Sequence, residues 1–465
     1  MTSKIIIPKA PQIMTRRRAI KSLVAGTGLT LTAASPLFSR IAKAACTMTT
    51  ESASGTCPQN LLVIFANGGL RTTDCWDFYS GSDVDIENST NQSGCSKPND
   101  WDVPTWASSL YDGASDWTKR MAVVRNINFD TASHPTGKLY ALNGRNATTK
   151  PAGPVIVSNY TDWDSLVGAA PNLKSWNMGY PLTAGGKEPS IPGEPSDLAD
   201  LFTNSGYAGD GAASDAHTAI ASALSADNGR FSLIPTIASR FFEWWTPSGD
   251  DLGVDQTAGE LLDAGINSTF EGDDYNTLVD DFATLANSNT IDNERFAGAI
   301  QAINDGVSRV VTIALNTNFD THTATQQQEI GSLCGYLSKT MEALDDRGLL
   351  DSTLIMVASD FDRTPSYNSR GGTDHQPAGS VAFFGAGLNY GAFGPKQSSL
   401  QALHYDDLAD LTNGGSNTTG SSGETITREH IWATVLNLFG IDHTKHFNTG
   451  TPISNIINAT CTSEE

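Results

Sequence analysis

The chain has 465 residues, with 29 Lys and Arg against 51 Asp and Glu, and a formal net charge of -22. So acidic a surface repels nucleic acid and anionic lipid, which excludes both as partners. It also repels anionic substrates unless metal ions, Arg or Lys compensate locally, and its length allows one large α/β domain with insertions or two domains.

The chain begins with an export signal. Thr15-Arg16-Arg17-Arg18-Ala19-Ile20-Lys21 fits the twin-arginine pattern, a moderately apolar run follows over Leu23–Phe38, and Ala42-Lys43-Ala44 offers small residues for cleavage. The run is diluted by Gly26, Thr27, Gly28 and Pro36. A bilayer span needs roughly 20 strongly apolar residues, so a removed signal over residues 1–44 is favoured over an anchor. Lipidation at Cys46 is a minor alternative. Residues 1–44 hold eight Lys or Arg and no acid, so cleavage takes the net charge from -22 to -30. The twin-arginine translocase is the expected exporter, the periplasm or the cell exterior the expected compartment. No later segment is expected to enter a membrane. The cysteines Cys46, Cys57, Cys75, Cys95, Cys334 and Cys461 form an even set without zinc-knuckle spacing, which in an oxidising compartment reads first as disulfides.

Leu61–Ala66 reads as a buried first strand closed by Gly68-Gly69, and Met121–Ile127 as a second. His134–Asn143 reads as a helix with Gly144 as its stop. Residues 146–215 are rich in Gly, Pro, Ser and Asn and read as loops. Helical pattern follows over Ala219–Ala226, Ile237–Trp245, Ala258–Ala264, Leu278–Ala286 and Glu294–Ile303, with Phe241, Phe242, Trp244 and Trp245 as an aromatic knot. Residues 146–302 are therefore expected to form a loop and helical insert in a domain spanning 45–465. Strand Val307–Leu315, helix Gln326–Asp345, strand Thr353–Ala358 and strand Ser380–Phe384 come next. Such alternation predicts βαβ crossovers and a parallel sheet. Residues 411–424 read as a mobile loop and Thr427–Phe439 as a closing amphipathic helix.

The chemistry gathers where strands end. Val307–Leu315 runs into Asn318-Phe319-Asp320-Thr321-His322, the strand over Leu354–Ala358 runs into Asp360, and Gly371-Gly372-Thr373-Asp374-His375 adds another acid and imidazole. Oxygen and nitrogen donors at the carboxyl edge of a parallel sheet suit a divalent metal. Plainer readings exist for each. Asp320 and His322 could be a surface hydrogen-bonded pair, Asp360 a turn cap, His134 a helix-start residue, and Asp374-His375 an ordinary turn. His217, His404, His430, His443 and His446 match no ligand spacing.

The double-arginine start, Asn67-Gly68-Gly69, Asp320-Thr321-His322, Ser359–Pro365 and Gly371–His375, in that order, resemble the exported bacterial family named domain of unknown function 1501. That family looks like a branch of the alkaline phosphatase and sulfatase superfamily. The resemblance covers most of the chain after the signal and is weakest across residues 146–290. It implies an alkaline-phosphatase-like α/β fold: a mostly parallel central sheet flanked by helices, with a helical insert. It also implies a two-metal hydrolase of phosphate or sulfate esters, small or polymeric. On this resemblance Asn67 stands where a strand-one Asp belongs. Asp320 and His322 resemble one metal pair, Asp360 resembles the acid of another with Phe361 in its His place, and His375 resembles the last histidine. One or two ions are implied, zinc, manganese or calcium.

His134 stands where sulfatases carry the Cys or Ser nucleophile, and Lys138 stands at an Arg place. His134 is then a covalent nucleophile or general acid/base, a metal ligand beside ion-activated water, or a mark of a dead site. Arg71, Lys138 or Arg363 would steady the equatorial oxygens, or Asp362, Arg363 and Thr364 would support the ligands from behind. Thr72 and Thr73 are fallback nucleophiles. Asn67, Phe361 and His134 depart from the active pattern and support the alternative: a non-catalytic, metal-stabilised scaffold or surface-polymer binding protein. A single-iron oxidoreductase is a further option, because an Asp, His, His set also suits iron.

Overall fold

The computed structural model describes residues 56–76, 108–111, 117–145, 150–161, 273–364, 366–393, 425–448 and 450–458, with short pieces between 163 and 195 and at 404–405 and 417–418. The signal, the aromatic knot, the helices expected over 219–226, 237–245 and 258–264, and Cys46, Cys95 and Cys461 lie outside these residues, as does most of the expected 411–424 loop.

An eight-stranded sheet organises the described chain. Its strands are β1 (Asn60–Ala66), β2 (Met121–Asn128), β3 (Trp176–Met178), β4 (Ile191–Pro192), β5 (Val310–Ala314), β6 (Thr353–Ser359), β9 (Ala378–Gly385) and β10 (Gly391–Phe393), in the order β10-β2-β9-β6-β1-β5-β3-β4. A separate short hairpin pairs β7 (Asp362–Arg363) with β8 (His375–Gln376).

The central strands are apolar on both faces because both faces are covered. Leu62, Ile64 and Ala66 of β1 face one core; Leu61, Val63 and Phe65 face the other. The first core is closed by α3 (Asp273–Ala283), α4 (Thr290–Asn304) and α5 (Gln327–Asp346), through Phe282, Phe296, Ile300, Leu333, Leu337 and Met341. The second is closed by α1 (His134–Asn143), α2 (Gly153–Tyr160) and α6 (Arg428–Leu438), through Leu142, Ile156, Ile431, Trp432 and Val435. Within residues 146–302, β3, β4, α2 and α4 thus belong to the layers of the sheet itself.

β1 runs parallel to β5 and β6, but β9 runs antiparallel to both β6 and β2. The sheet is thus mostly parallel, and β9, which covers the expected strand Ser380–Phe384, is the one described strand of it that runs in reverse. No helix separates β6 from β9. The chain folds back over the sheet edge as the β7–β8 hairpin and re-enters from that edge, so it can only run in reverse. The carboxyl ends of β1, β2, β5 and β6 consequently share one edge.

Local chemistry fixes the ends. Pro135 sits in the first turn of α1, and Gly144 ends the helix at φ 76° with its N–H on the Tyr140 carbonyl. Thr427 and His430 form a reciprocal cap at the start of α6, which gives His430 a structural job. Cys75 and Cys334 are buried and not disulfide-bonded, so these two depart from the expected disulfide set. No described helix is long and apolar enough to cross a membrane.

Candidate metal centre

Four strand ends build the site. After β1 the backbone turns through Gly68 (φ 115°) and Gly69 (φ 89°), a region that favours glycine. A Cβ on Gly68 would lie 2.5 Å from the Asp320 nitrogen, and one on Gly69 2.6 Å from a Phe361 ring carbon. The missing side chains let the post-β5 and post-β6 segments close onto this turn. Gln326 stitches the same segments, donating to the Gly69 carbonyl (2.7 Å) and the Phe319 carbonyl (2.5 Å) and accepting from the Arg71 N–H (2.8 Å).

The result brings His134, Asp320, His322 and His375 together. One ligand atom from each of His134, Asp320 and His375 lies within 4.8 Å of the others. His322 Nε2 completes the cluster, 3.2 Å from Asp320 Oδ1 and 3.0 Å from His375 Nε2. The four side chains are 25 to 37% exposed, open enough for a small ligand to reach.

Each imidazole is held from behind by an oxygen. His134 Nδ1 lies 2.5 Å from Asp360 Oδ2, His322 Nδ1 3.3 Å from Asp374 Oδ1, and His375 Nδ1 2.6 Å from the Ala132 carbonyl. Carbonyls and ionised carboxylates only accept, so Nδ1 carries the proton in each ring and the neutral ring keeps its lone pair on Nε2. Three Nε2 lone pairs then converge on one carboxylate. His134 Nε2 is buried without a hydrogen-bond partner among the described residues, 3.7 Å from Asp320 Oδ2. Two ligands of one tetrahedral or octahedral zinc-sized ion stand about 3–3.4 Å apart, and the contacts from His322 Nε2 to His375 and Asp320 have that spacing. Oxygen acceptors behind ligating histidines are the usual companions of such a centre.

Electrostatics agree. Burial alone would raise the Asp320 carboxyl, but the Arg363 hydrogen bond and charge, with His134 and His322, hold it below the ordinary carboxylate range. Burial lowers His375; the Ala132 carbonyl opposes this, and the positive charge of Arg363 adds to it. Hydrogen bonds from Asn368 and His322 lower Asp374. A bare, neutral imidazole beside an ionised carboxylate is the form that binds a cation.

Several expected roles change. Asp360, expected as a ligand, has both oxygens engaged: Oδ1 accepts from Gly68 N–H (3.1 Å), Gly69 N–H (2.6 Å) and the Ser359 hydroxyl (3.0 Å), and Oδ2 faces His134. It orients His134. Arg363, expected either to steady substrate oxygens or to support the ligands, is fully buried. Its Nε donates to the Gly69 carbonyl (3.3 Å), Nη1 to the Thr373 carbonyl (3.1 Å) and Nη2 to the Gly68 carbonyl and Asp320 Oδ1, while Nη1 also faces His322 Nε2 at 3.5 Å. Four of its five N–H groups are spent on oxygens, and the fifth points at His322 Nε2, whose lone pair a bound ion would take instead. Thr72 is no free nucleophile, because its hydroxyl donates to Asp362. Phe361 sets its ring centre 4.6 Å from that of His134 and 4.3 Å from that of His375.

Lys138, one turn beyond His134, holds its ammonium 5.5 Å from the Tyr180 ring centre, and Tyr180 packs on Phe65 at the end of β1. No contact joins it to the imidazoles among the described residues. Asn67 is half-buried; its carbonyl accepts from Phe319 N–H (2.9 Å), and its side chain makes no hydrogen bond among the described residues. Two supports were not anticipated. Asp374 backs His322, though its place next to His375 was a signal. Arg428 donates to the Ser359, Asp360 and Gly137 carbonyls at 2.6–2.7 Å, and nothing in its local sequence announces this.

Residues 276–453 match the family model described as a protein of unknown function, DUF1501. The DUF1501 match contains Asp320, His322, Asp360, Arg363 and His375; Asn67, His134 and Lys138 precede it. Two solved structures are similar to this chain. One, titled "Crystal structure of Ps i-CgsB in complex with k-i-k-neocarrahexaose", is 12% identical, with 87% of this chain and 78% of that one covered and a TM-score of 0.31. The other, titled "Crystal structure of Ps i-CgsB", is 11% identical with the same coverage and a TM-score of 0.32. At these values the likeness carries no argument about chemistry. No curated protein matches the sequence.

Proposed function

We propose that this is an exported metal-dependent hydrolase-like protein acting on phosphate or sulfate esters. The single observation that carries the metal is the convergence of three Nε2 atoms, each on a ring fixed through Nδ1, upon Asp320. Asp320, His134, His322 and His375 hold the ion, and Asn67 supplies a further oxygen from the same edge. This donor set suits zinc, manganese or iron; calcium prefers six to eight oxygens and fits it poorly. A bound divalent ion supplies Lewis acidity to an ester oxygen and acidifies water.

The protein's own groups then have defined work. Asp360 fixes the His134 tautomer, Phe361 walls off one side of His134 and His375, and Lys138, one turn along the helix from His134, is a cation available to an anionic ester. The twin-arginine start supports export to the periplasm or beyond.

A second reading, a metal-stabilised scaffold or polymer-binding protein without turnover, is favoured by the tethered Thr72 hydroxyl and by His134 at the nucleophile position. Elemental analysis of purified protein, followed by a screen of chromogenic phosphate monoesters, diesters and sulfate esters with zinc and manganese, separates the two. The hydrolase reading predicts turnover that Asp320→Ala abolishes. Bound metal with no turnover above that control leaves the scaffold, and metal-free protein that takes up no added ion sinks both.

A further inference from the structure

We infer that Arg363 fills the position of a second cation, so that the centre holds one divalent ion rather than the two that the superfamily resemblance implies. This rests on the reading of the histidine cluster as a metal site. Paired-metal sites hold two ions about 3.5–4 Å apart and clamp both with shared anionic ligands. Asp320 is the carboxylate that meets the imidazoles here. Its Oδ2 faces His134 at 3.7 Å, and its Oδ1 faces His322 at 3.2 Å and His375 at 3.9 Å. That same Oδ1 already accepts from Arg363 Nη2, so the oxygen a second ion would share is occupied by a guanidinium.

The guanidinium is built in. Arg363 is fully buried and braced by the Gly68, Gly69 and Thr373 carbonyls. A Cβ on Gly69 would lie 2.9 Å from its Nε, so the glycine turn is shaped around it. Its own N–H is held at 2.7 Å by Asp362, whose carboxylate also binds Thr72. Arginine stays charged at any physiological pH, so this cation cannot leave by deprotonation. Anionic ligands for another ion are also lacking among the described residues: Asp360 is spent on His134 and three donors, Asp362 on Thr72 and Arg363, and Asp374 stands behind His322. A second dication would have to sit against a fixed positive charge without a carboxylate of its own.

The test is stoichiometry. The purified protein is stripped with chelator and dialysed against Mn(II) alone or Zn(II) alone. Bound metal is counted per chain, and the manganese form is read by electron paramagnetic resonance. The expected result is saturation at one ion per chain with an uncoupled six-line manganese signal. Two ions per chain with a spin-coupled signal overturn the inference and leave the metal centre standing. No bound ion removes the centre and the inference with it. Arg363→Gln tests the residue itself: with the charge gone, the folded variant should bind Mn(II) at least ten-fold more tightly or take a second ion. Unchanged affinity and count overturn the role of Arg363. Should that variant fail to fold, Arg363→Lys keeps the charge and should still saturate at one ion; two ions there overturn the inference.

Discussion

His134 Nδ1 lies 2.5 Å from Asp360 Oδ2, and this contact selects which nitrogen of His134 faces Asp320. Asp360 is in turn fixed by two glycine N–H groups at the end of β1. The first strand thus orients an imidazole on a helix that follows the second strand.

Asp360→Asn keeps the shape and the acceptor for Gly68 and Gly69, but sets an amide N–H against Nδ1 and moves the ring proton to Nε2. Ion affinity should fall about 10–100-fold, the usual cost of losing such a support. Titration calorimetry with zinc checks this, alongside an unfolding curve showing that the variant still folds. Unchanged affinity would mean that His134 does not ligate through Nε2.

Ion binding should stabilise the fold. With free zinc at 100 times its dissociation constant, unfolding should cost about 2.7 kcal/mol more than in chelator. His322→Ala and His375→Ala should lose most of that increment, because each removes an Nε2 from the cluster. Urea unfolding with and without zinc gives the number, and identical curves for the wild-type protein would exclude a native-state site.

Acid should weaken the metal-free protein. The folded pKa of His375 lies below its ordinary value of about 6.5, so the unfolded chain binds more protons once pH drops through that value, and stability declines from there toward the folded pKa. Asp320 has the opposite chemistry and the same direction. Its lowered pKa contributes stability above about pH 3.9, which is lost as pH falls further through the folded value. Urea midpoints in chelator between pH 7.5 and 5 should fall, and His375→Gln should flatten that slope.

Gly69→Ala and Gly371→Ala make a matched pair. Both glycines have positive φ, 89° and 79°, so both variants bear left-handed strain of about 1 kcal/mol. Only Gly69 is also crowded, by Phe361 and Arg363; nothing lies within 4 Å of a Cβ on Gly371. Gly69→Ala should therefore cost at least about 2 kcal/mol more than its partner, because the core around it must shift. Denaturant unfolding of the two variants side by side measures the difference, and equal losses would contradict the packing described.

Much of the scaffold was legible. Leu61–Ala66 and Thr353–Ala358 are unbroken apolar runs because helices cover both faces of the sheet, and Pro135 and Gly144 bracket α1 by their backbone preferences alone. Asp320, His322 and His375 were readable as one cluster because each closes or follows a strand at one edge. The partners of Asp360 and Arg363 were not legible, for a common reason. Their residue types fit a ligand and an anion clamp, but their partners lie far along the chain, from Gly68 to Asp320, and no spacing encodes which acceptor a side chain meets first.

The order of apolar and polar residues by itself determined where strands and helices form and at which sheet edge the acids and imidazoles gather, since hydrophobic burial follows local periodicity. Only the tertiary structure decided that β9 runs backward, that Asp360 serves His134, and that a buried guanidinium takes the open side of Asp320. Those outcomes depend on hydrogen-bond geometry between segments that the folded sheet alone brings within reach.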